Sequence, residues 1–235
     1  MAPQLFKFLK SAHLDNILIH GTIRISTLSY FRAWEGGRWI GDPNEATTTV
    51  AASGAVVASK PGETVSDPWT PPGFGQIVKA SDGGKVIFSG GARIKFRGAD
   101  RFIFCVSQGE RDQLVQAMCR DAEEPYDAAV RILLPLELLA HRIFYRSTIV
   151  EFGGEPTRWF FASVSSGSVA YDADEHHHSA GLAPAPSAFR KDRHFAAQSE
   201  ARIVLTPHRD LGREWLTVKL PHPEKLFVEE FRIIP

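Results

Sequence analysis

The segment Gln198-Ser199-Glu200-Ala201-Arg202-Ile203-Val204-Leu205 carries the side chain best suited to chemistry in this chain, the carboxylate of Glu200. Alternation places Ala201, Ile203 and Leu205 on one face of a strand and Glu200 with Arg202 on the other. Gln198, two residues before Glu200, points the same way if the chain is extended there. An amide beside a carboxylate at a strand entrance can align a hydroxyl and stabilise a cationic centre. The competing arrangement is an ion pair between Glu200 and Arg202 on a solvated sheet face.

A second group is Ser26-Thr27-Leu28-Ser29-Tyr30-Phe31-Arg32. Hydroxyls with two aromatic rings and an arginine suit a nucleotide, because rings stack on a planar base and guanidinium makes paired contacts with phosphate. The same residues also fit a strand-to-loop transition with Tyr30 and Phe31 buried. Gly41-Asp42-Pro43-Asn44-Glu45 has turn chemistry, and Asp42 and Glu45 are placed to orient Arg32. His176-His177-His178 follows three acidic residues but lacks the spacing of a zinc ligand set, so no metal is assigned. Arg190, Lys191, Arg193 and His194 form a small basic cluster that suits either a phosphate or a solvated loop. There is no Walker loop, dinucleotide fingerprint, nucleophile elbow or zincin helix.

Bulk properties narrow the class. The 235 residues are 43% hydrophobic and 23% charged, enough apolar material for a sizeable core. Lys plus Arg equals Asp plus Glu at 27 each, which removes the basic excess expected of a duplex-wrapping protein. Cys105 and Cys119 are too few for a disulfide scaffold and read as buried thiols. No secretory leader or membrane-spanning stretch is evident, so a cytoplasmic protein with no membrane partner is expected.

The elements that must position these groups are legible in part. A strand over 4–9 leads through Ser11, a candidate N-cap, into a short helix, then Gly21 as a left-handed cap, then a strand over 22–26. Residues 33–84 and 172–188 are rich in turn formers and read as long excursions, the first of them lid-like. Further strands are predicted near 85–88, 92–96, 101–107, 126–134, 142–150, 159–164, 168–171, 201–206, 215–220 and 226–234. Helices are predicted over 110–122 and 135–141. Short strands without crossover helices predict a single α+β domain over 1–235, antiparallel-rich, with a strongly curved or split sheet and a few short helices.

Two ends of the chain resemble a known superfamily. Leu5-Phe6-Lys7-Phe8, His13-Leu14-Asp15-Asn16-Ile17-Leu18 and Gly21-Thr22-Ile23-Arg24 are similar to the opening of ADP-ribosyltransferase-like proteins, including DarT-type nucleic-acid-modifying toxins. Gln198-Ser199-Glu200 resembles the Gln/Glu-x-Glu element that carries their catalytic glutamate. Gly41-Asp42-Pro43-Asn44-Glu45, Cys105-Val106-Ser107 and Glu200-Ala201-Arg202 also resemble motifs of an uncharacterised bacterial family. The first resemblance implies NAD as substrate and mono-ADP-ribosyl transfer to a nucleic acid or protein acceptor, in a toxin or defence effector. Glu200 would stabilise the ribosyl cation and Gln198 would orient the acceptor. Lys7 would contact NAD from the first strand. Arg32 with Ser26 or Thr27 would hold phosphate and ribose, and Tyr30 or Phe31 would stack on nicotinamide. In that scheme Glu200→Gln is expected to abolish NAD consumption and leave stability nearly unchanged. The alternatives are an NAD glycohydrolase and a non-catalytic nucleotide-binding module.

Overall fold

The computed structural model describes residues 3–33, 46–52, 56–58, 86–88, 92–122, 125–172, 175–177 and 187–233. In chain order its elements are β1 (Leu5–Leu9), α1 (Leu14–Leu18), β2 (Thr22–Thr27), α2 (Leu28–Ala33), β3 (Thr47–Ala52), β4 (Val56–Ala58), β5 (Val86–Phe88) and β6 (Ala92–Arg97). There follow β7 (Phe102–Gln108), α3 (Arg111–Val115), β8 (Ala128–Ile132), α4 (Leu136–Arg146), β9 (Thr148–Ile149), β10 (Glu155–Pro156), β11 (Phe161–Ser168) and β12 (Ala170–Asp172). The last are β13 (Glu175–His177), β14 (Arg190–Asp192), β15 (Glu200–Pro207), β16 (Trp215–Lys219) and β17 (Phe227–Arg232). The chain is α+β, with a large antiparallel sheet and few short helices.

Two compact units are present. The smaller, Ala46–Gly98 with Ala173–Ser187, holds β3 paired antiparallel to β6 and parallel to β13, together with the antiparallel pair β4–β5. The larger unit, Met1–Glu45, Ala99–Asp172 and Ala188–Pro235, contains a ten-stranded sheet and a parallel β12–β14 pair. The sequence treats 1–235 as one domain with excursions over 33–84 and 172–188, and described residues of both excursions fall in the smaller unit.

The large sheet is organised by β7. On one edge β15 pairs with it from Phe102 to Ser107. Its other edge is shared, with β2 pairing at Phe102 and Ile103 and β1 pairing at Ser107 and Gln108. The middle of β7 therefore faces a gap between β1 and β2. There the ammonium of Lys7 donates to the carbonyl of Cys105 at 2.9 Å, satisfying a backbone acceptor that no strand reaches.

Alternation then separates two faces. Ile23 and Ile25, Phe102 and Phe104, and Ala201, Ile203 and Leu205 are buried in one large apolar cluster. Helix α4 closes that side with Leu136, Leu139, Ala140, Ile143 and Phe144, a stripe at helical spacing. The stripe extends the helix through 142–146, where the sequence predicts a strand. Ser147 ends it by turning its hydroxyl back to the Ile143 carbonyl, and only Thr148–Ile149 is extended. Arg24, Ser26, Cys105, Ser107, Glu200 and Arg202 belong to the opposite face.

The opening unit also differs in its cap. Ser11 does not cap the helix through its side chain. Its hydroxyl donates to Asp127 at 2.9 Å, and its backbone N–H donates to the same carboxylate. Gly21 has φ +65°, and a Cβ there would lie 2.5 Å from the Leu220 carbonyl oxygen, so both conformation and space require glycine.

Candidate functional site

Glu200 opens β15 after a tight reversal. Arg193–Gln198 forms a 3₁₀ turn, whose start is capped by Asp192 accepting from the His194 N–H at 2.7 Å. Ser199 follows with φ +43°, held by its hydroxyl donating to the Gln108 carbonyl at 2.7 Å. Gln198 is thus not in extended chain, as its two-residue spacing from Glu200 suggested. It reaches the carboxylate through Lys191, whose ammonium donates to Gln198 Oε1 at 2.9 Å and to Glu200 Oε2 at 3.1 Å. Arg202 Nε donates to Glu200 Oε1 at 2.6 Å.

The pair Glu200–Arg202 anticipated on a solvated face exists, but it is buried. Glu200 is 6% exposed and Arg202 0%. Burial alone raises a carboxyl pKa. Here the charges of Arg202 and Lys191 outweigh it and hold Glu200 well below the usual carboxylate range. The Glu200 N–H donates to the phenol oxygen of Tyr171 at 2.6 Å, and burial pushes the Tyr171 pKa up to about 12.

A recess of about 90 Å³ adjoins this cluster, walled by Cys105, Ser107, Gln198, Glu200 and Arg202 with Lys191. Next to it lies a trough of about 600 Å³ along the gap between β1 and β2. Lys7, Phe8, Phe31 and Tyr126 wall both. Farther along the trough are Lys10, His13, Arg24, Ser26 and Tyr30, and its lining contains no carboxylate among the described residues. Arg24 lies between two rings, 4.8 Å from the centre of Tyr30 and 4.7 Å from that of Trp215. The trough is therefore aromatic and cationic, a lining that suits an anionic ligand with a planar ring.

Of the residues singled out from the sequence, Lys7, Ser26, Tyr30, Phe31, Gln198 and Glu200 line these two adjoining cavities. Tyr30 and Phe31 stand edge to face on α2, not in a loop, with ring centres 5.8 Å apart. Thr27 and Arg32 do not join them. Thr27 lines a separate cavity with Ser29 and Asp100, and its hydroxyl accepts from the Tyr30 N–H at 3.2 Å. Arg32 is 3.9 Å from Asp100. Asp42 and Glu45, proposed to orient Arg32, lie outside the described residues, as does His178. No cluster able to hold a metal occurs among the described residues.

Sequence reasoning missed the roles of Lys191, Tyr171, Arg24 and Tyr126. Lys191 sat in a visible basic cluster, but its neighbours have separate fates: Arg190 pairs with Asp172 at 2.8 Å, whereas Lys191 turns inward. Comparison with protein-family models, characterised proteins and solved structures found no match to this chain. No described helix is long and apolar enough to cross a membrane.

Proposed function

We propose that the chain binds NAD in the trough and transfers ADP-ribose from it to a nucleic acid or protein acceptor. The observation that carries this reading is the shared wall of Lys7, Phe8, Phe31 and Tyr126, because one end of a dinucleotide lying in the trough then adjoins the recess that Glu200 lines. The NAD phosphates meet Lys10 and Arg24, its rings meet Tyr30 and Phe31, and Ser26 offers a hydroxyl to ribose. Cleavage of the nicotinamide–ribose bond leaves an oxocarbenium-like cation, which a nearby carboxylate stabilises. Water as acceptor makes the same site an NAD glycohydrolase. The antiparallel sheet with a gap at its centre is compatible with an ADP-ribosyltransferase-like fold.

One observation favours a second reading, nucleotide binding without turnover. Both Glu200 oxygens are already engaged by buried cations, which weakens their stabilisation of a developing ribosyl cation. Thermal shift with NAD followed by a nicotinamide-release assay separates the two. Binding with release supports transfer or hydrolysis, and the product distinguishes them: a modified acceptor or free ADP-ribose. Binding without release selects the second reading. No binding sinks both.

A further inference from the structure

We infer that the trough selects a dinucleotide whose adenosine ribose carries a phosphate monoester, NADP rather than NAD, and that Arg24 holds that phosphate. The inference rests on the reading that a dinucleotide lies in the trough with its nicotinamide end toward Glu200. Its adenosine end then meets the far part of the lining, Lys10, His13, Arg24, Ser26 and Tyr30. A site for NAD commonly offers a carboxylate to the ribose hydroxyls, whereas a site for NADP has an arginine for the ribose phosphate. Arg24 lines the trough, and no carboxylate does among the described residues.

Two neighbouring strands set Arg24 up for this. On β2 it stands opposite Thr217 of β16, and Ser26 stands opposite Trp215. Alternation therefore puts Arg24, Ser26, Trp215 and Thr217 on one face. The Tyr30 and Trp215 rings flank the guanidinium at 4.8 Å and 4.7 Å. Arg24 forms no hydrogen bond or ion pair with another described residue, so its in-plane N–H donors are open to a ligand. A planar fork already held by its neighbours loses less freedom when it grips two phosphate oxygens. Lys7 and Lys10 serve the pyrophosphate. Each donates to a backbone carbonyl, of Cys105 and Pro125 respectively, and neither forms a salt bridge with a described carboxylate. The Lys10 charge also acts on Asp127, outside the lining, which leaves Arg24 as the cation for the monoester. That group adds about −1.5 to −2 near neutrality, and a cationic lining without carboxylates favours the more highly charged ligand.

Calorimetric titration of the full chain with NADP and with NAD, at constant ionic strength, tests it. NADP is expected to bind about tenfold more tightly, the weight of one charge-assisted contact. Arg24→Gln is expected to weaken both ligands, NADP the more, so that the preference falls toward unity. Its melting temperature should change little, because Arg24 is exposed. Lys10→Gln is the comparison variant, expected to weaken both ligands alike and to keep the preference. NAD binding at least as tightly as NADP to the wild type overturns the inference and leaves the NAD reading standing. A preference that survives Arg24→Gln, or that is lost in Lys10→Gln instead, overturns the role of Arg24. Binding of neither dinucleotide overturns the inference together with the reading beneath it, so the two failures are distinguishable.

Discussion

Lys191 donates to Glu200 at 3.1 Å inside the protein, where both side chains are almost wholly out of water. The carboxylate therefore has a structural duty whatever chemistry it performs. Arg202 shares that duty from the same strand, two residues on. Neutralising Glu200 removes a counter-ion that two buried cations share.

Glu200→Gln is accordingly expected to destabilise the fold by about 3–5 kcal/mol, the typical cost of removing one partner from a buried ion pair. This reverses the expectation from sequence that the exchange is nearly neutral. Urea denaturation measures it, and a loss below about 1 kcal/mol would be the size of an exposed pair instead. Any activity comparison with this variant has to be made on its folded fraction.

Acid sensitivity follows from the same cluster. The folded-state pKa of Glu200 is held below its ordinary value of 4.5 by Arg202 and Lys191, which overcome the opposing effect of burial. The unfolded chain thus binds one more proton between the two values. The stabilisation is fully present above the ordinary value and is lost as pH falls below it, at a slope approaching about 1.4 kcal/mol per pH unit. The Ser11 backbone N–H and hydroxyl lower the pKa of Asp127 too, so the test is a difference. Stability of wild type minus Glu200→Gln, followed from pH 6 down to pH 3, is expected to shrink. A constant difference would show that folding does not shift the Glu200 pKa.

Tyr171 gives an alkaline counterpart. Its pKa is raised to about 12, chiefly by burial and also by the charge of Glu200. A raised value means that its contribution is intact below the ordinary value of 10.0 and declines as pH climbs toward 12. Spectrophotometric titration is expected to show one fewer late-ionising tyrosine in Tyr171→Phe. The same exchange leaves the buried Glu200 N–H without its acceptor, at a cost of about 1–3 kcal/mol. Loss of an early-ionising tyrosine from the titration would count against this placement.

Ligand binding should divide the sequence-derived residues as the cavities do. Tyr30→Ala is expected to weaken a nucleotide by about 1–3 kcal/mol, the range found for a stacked base. Arg24→Ala should act alongside it, since Arg24 is held between the Tyr30 and Trp215 rings. Arg32→Gln should leave affinity unchanged, because Arg32 lies against Asp100 outside the trough lining. Equal losses in Arg24→Ala and Arg32→Gln, measured by thermal shift with NAD, would move the binding site away from the trough.

Gly21→Ala probes the frame that spaces β1 from β2. A left-handed residue with a Cβ costs about 1–2 kcal/mol before contacts are counted. Here the Cβ also meets the Leu220 carbonyl at 2.5 Å, next to the Leu220 N–H that donates to Gly21. A fall in stability beyond 2 kcal/mol is expected from denaturant unfolding. A neutral result would place the turn elsewhere.

What the sequence determined by itself was local. Period-two alternation placed Ala201, Ile203 and Leu205 in the core and Glu200 with Arg202 opposite, because side chains on a strand alternate whatever lies beside it. Gly21 announced its turn because few other residues adopt that backbone. The apolar stripe of α4 was also present in the sequence, but the β-branched and aromatic residues from 143 to 150 favoured a strand until packing on β11 and β15 decided. Tertiary structure alone decided what Glu200 became. Strand spacing cannot say whether the face opposite the core meets water or a second layer. The 3₁₀ turn and β14 bring Lys191 over that face and close it, converting an apparent surface pair into a buried cluster. The gap between β1 and β2 is likewise invisible in either strand. It exists because both compete for one edge of β7, a relation between residues about a hundred positions apart.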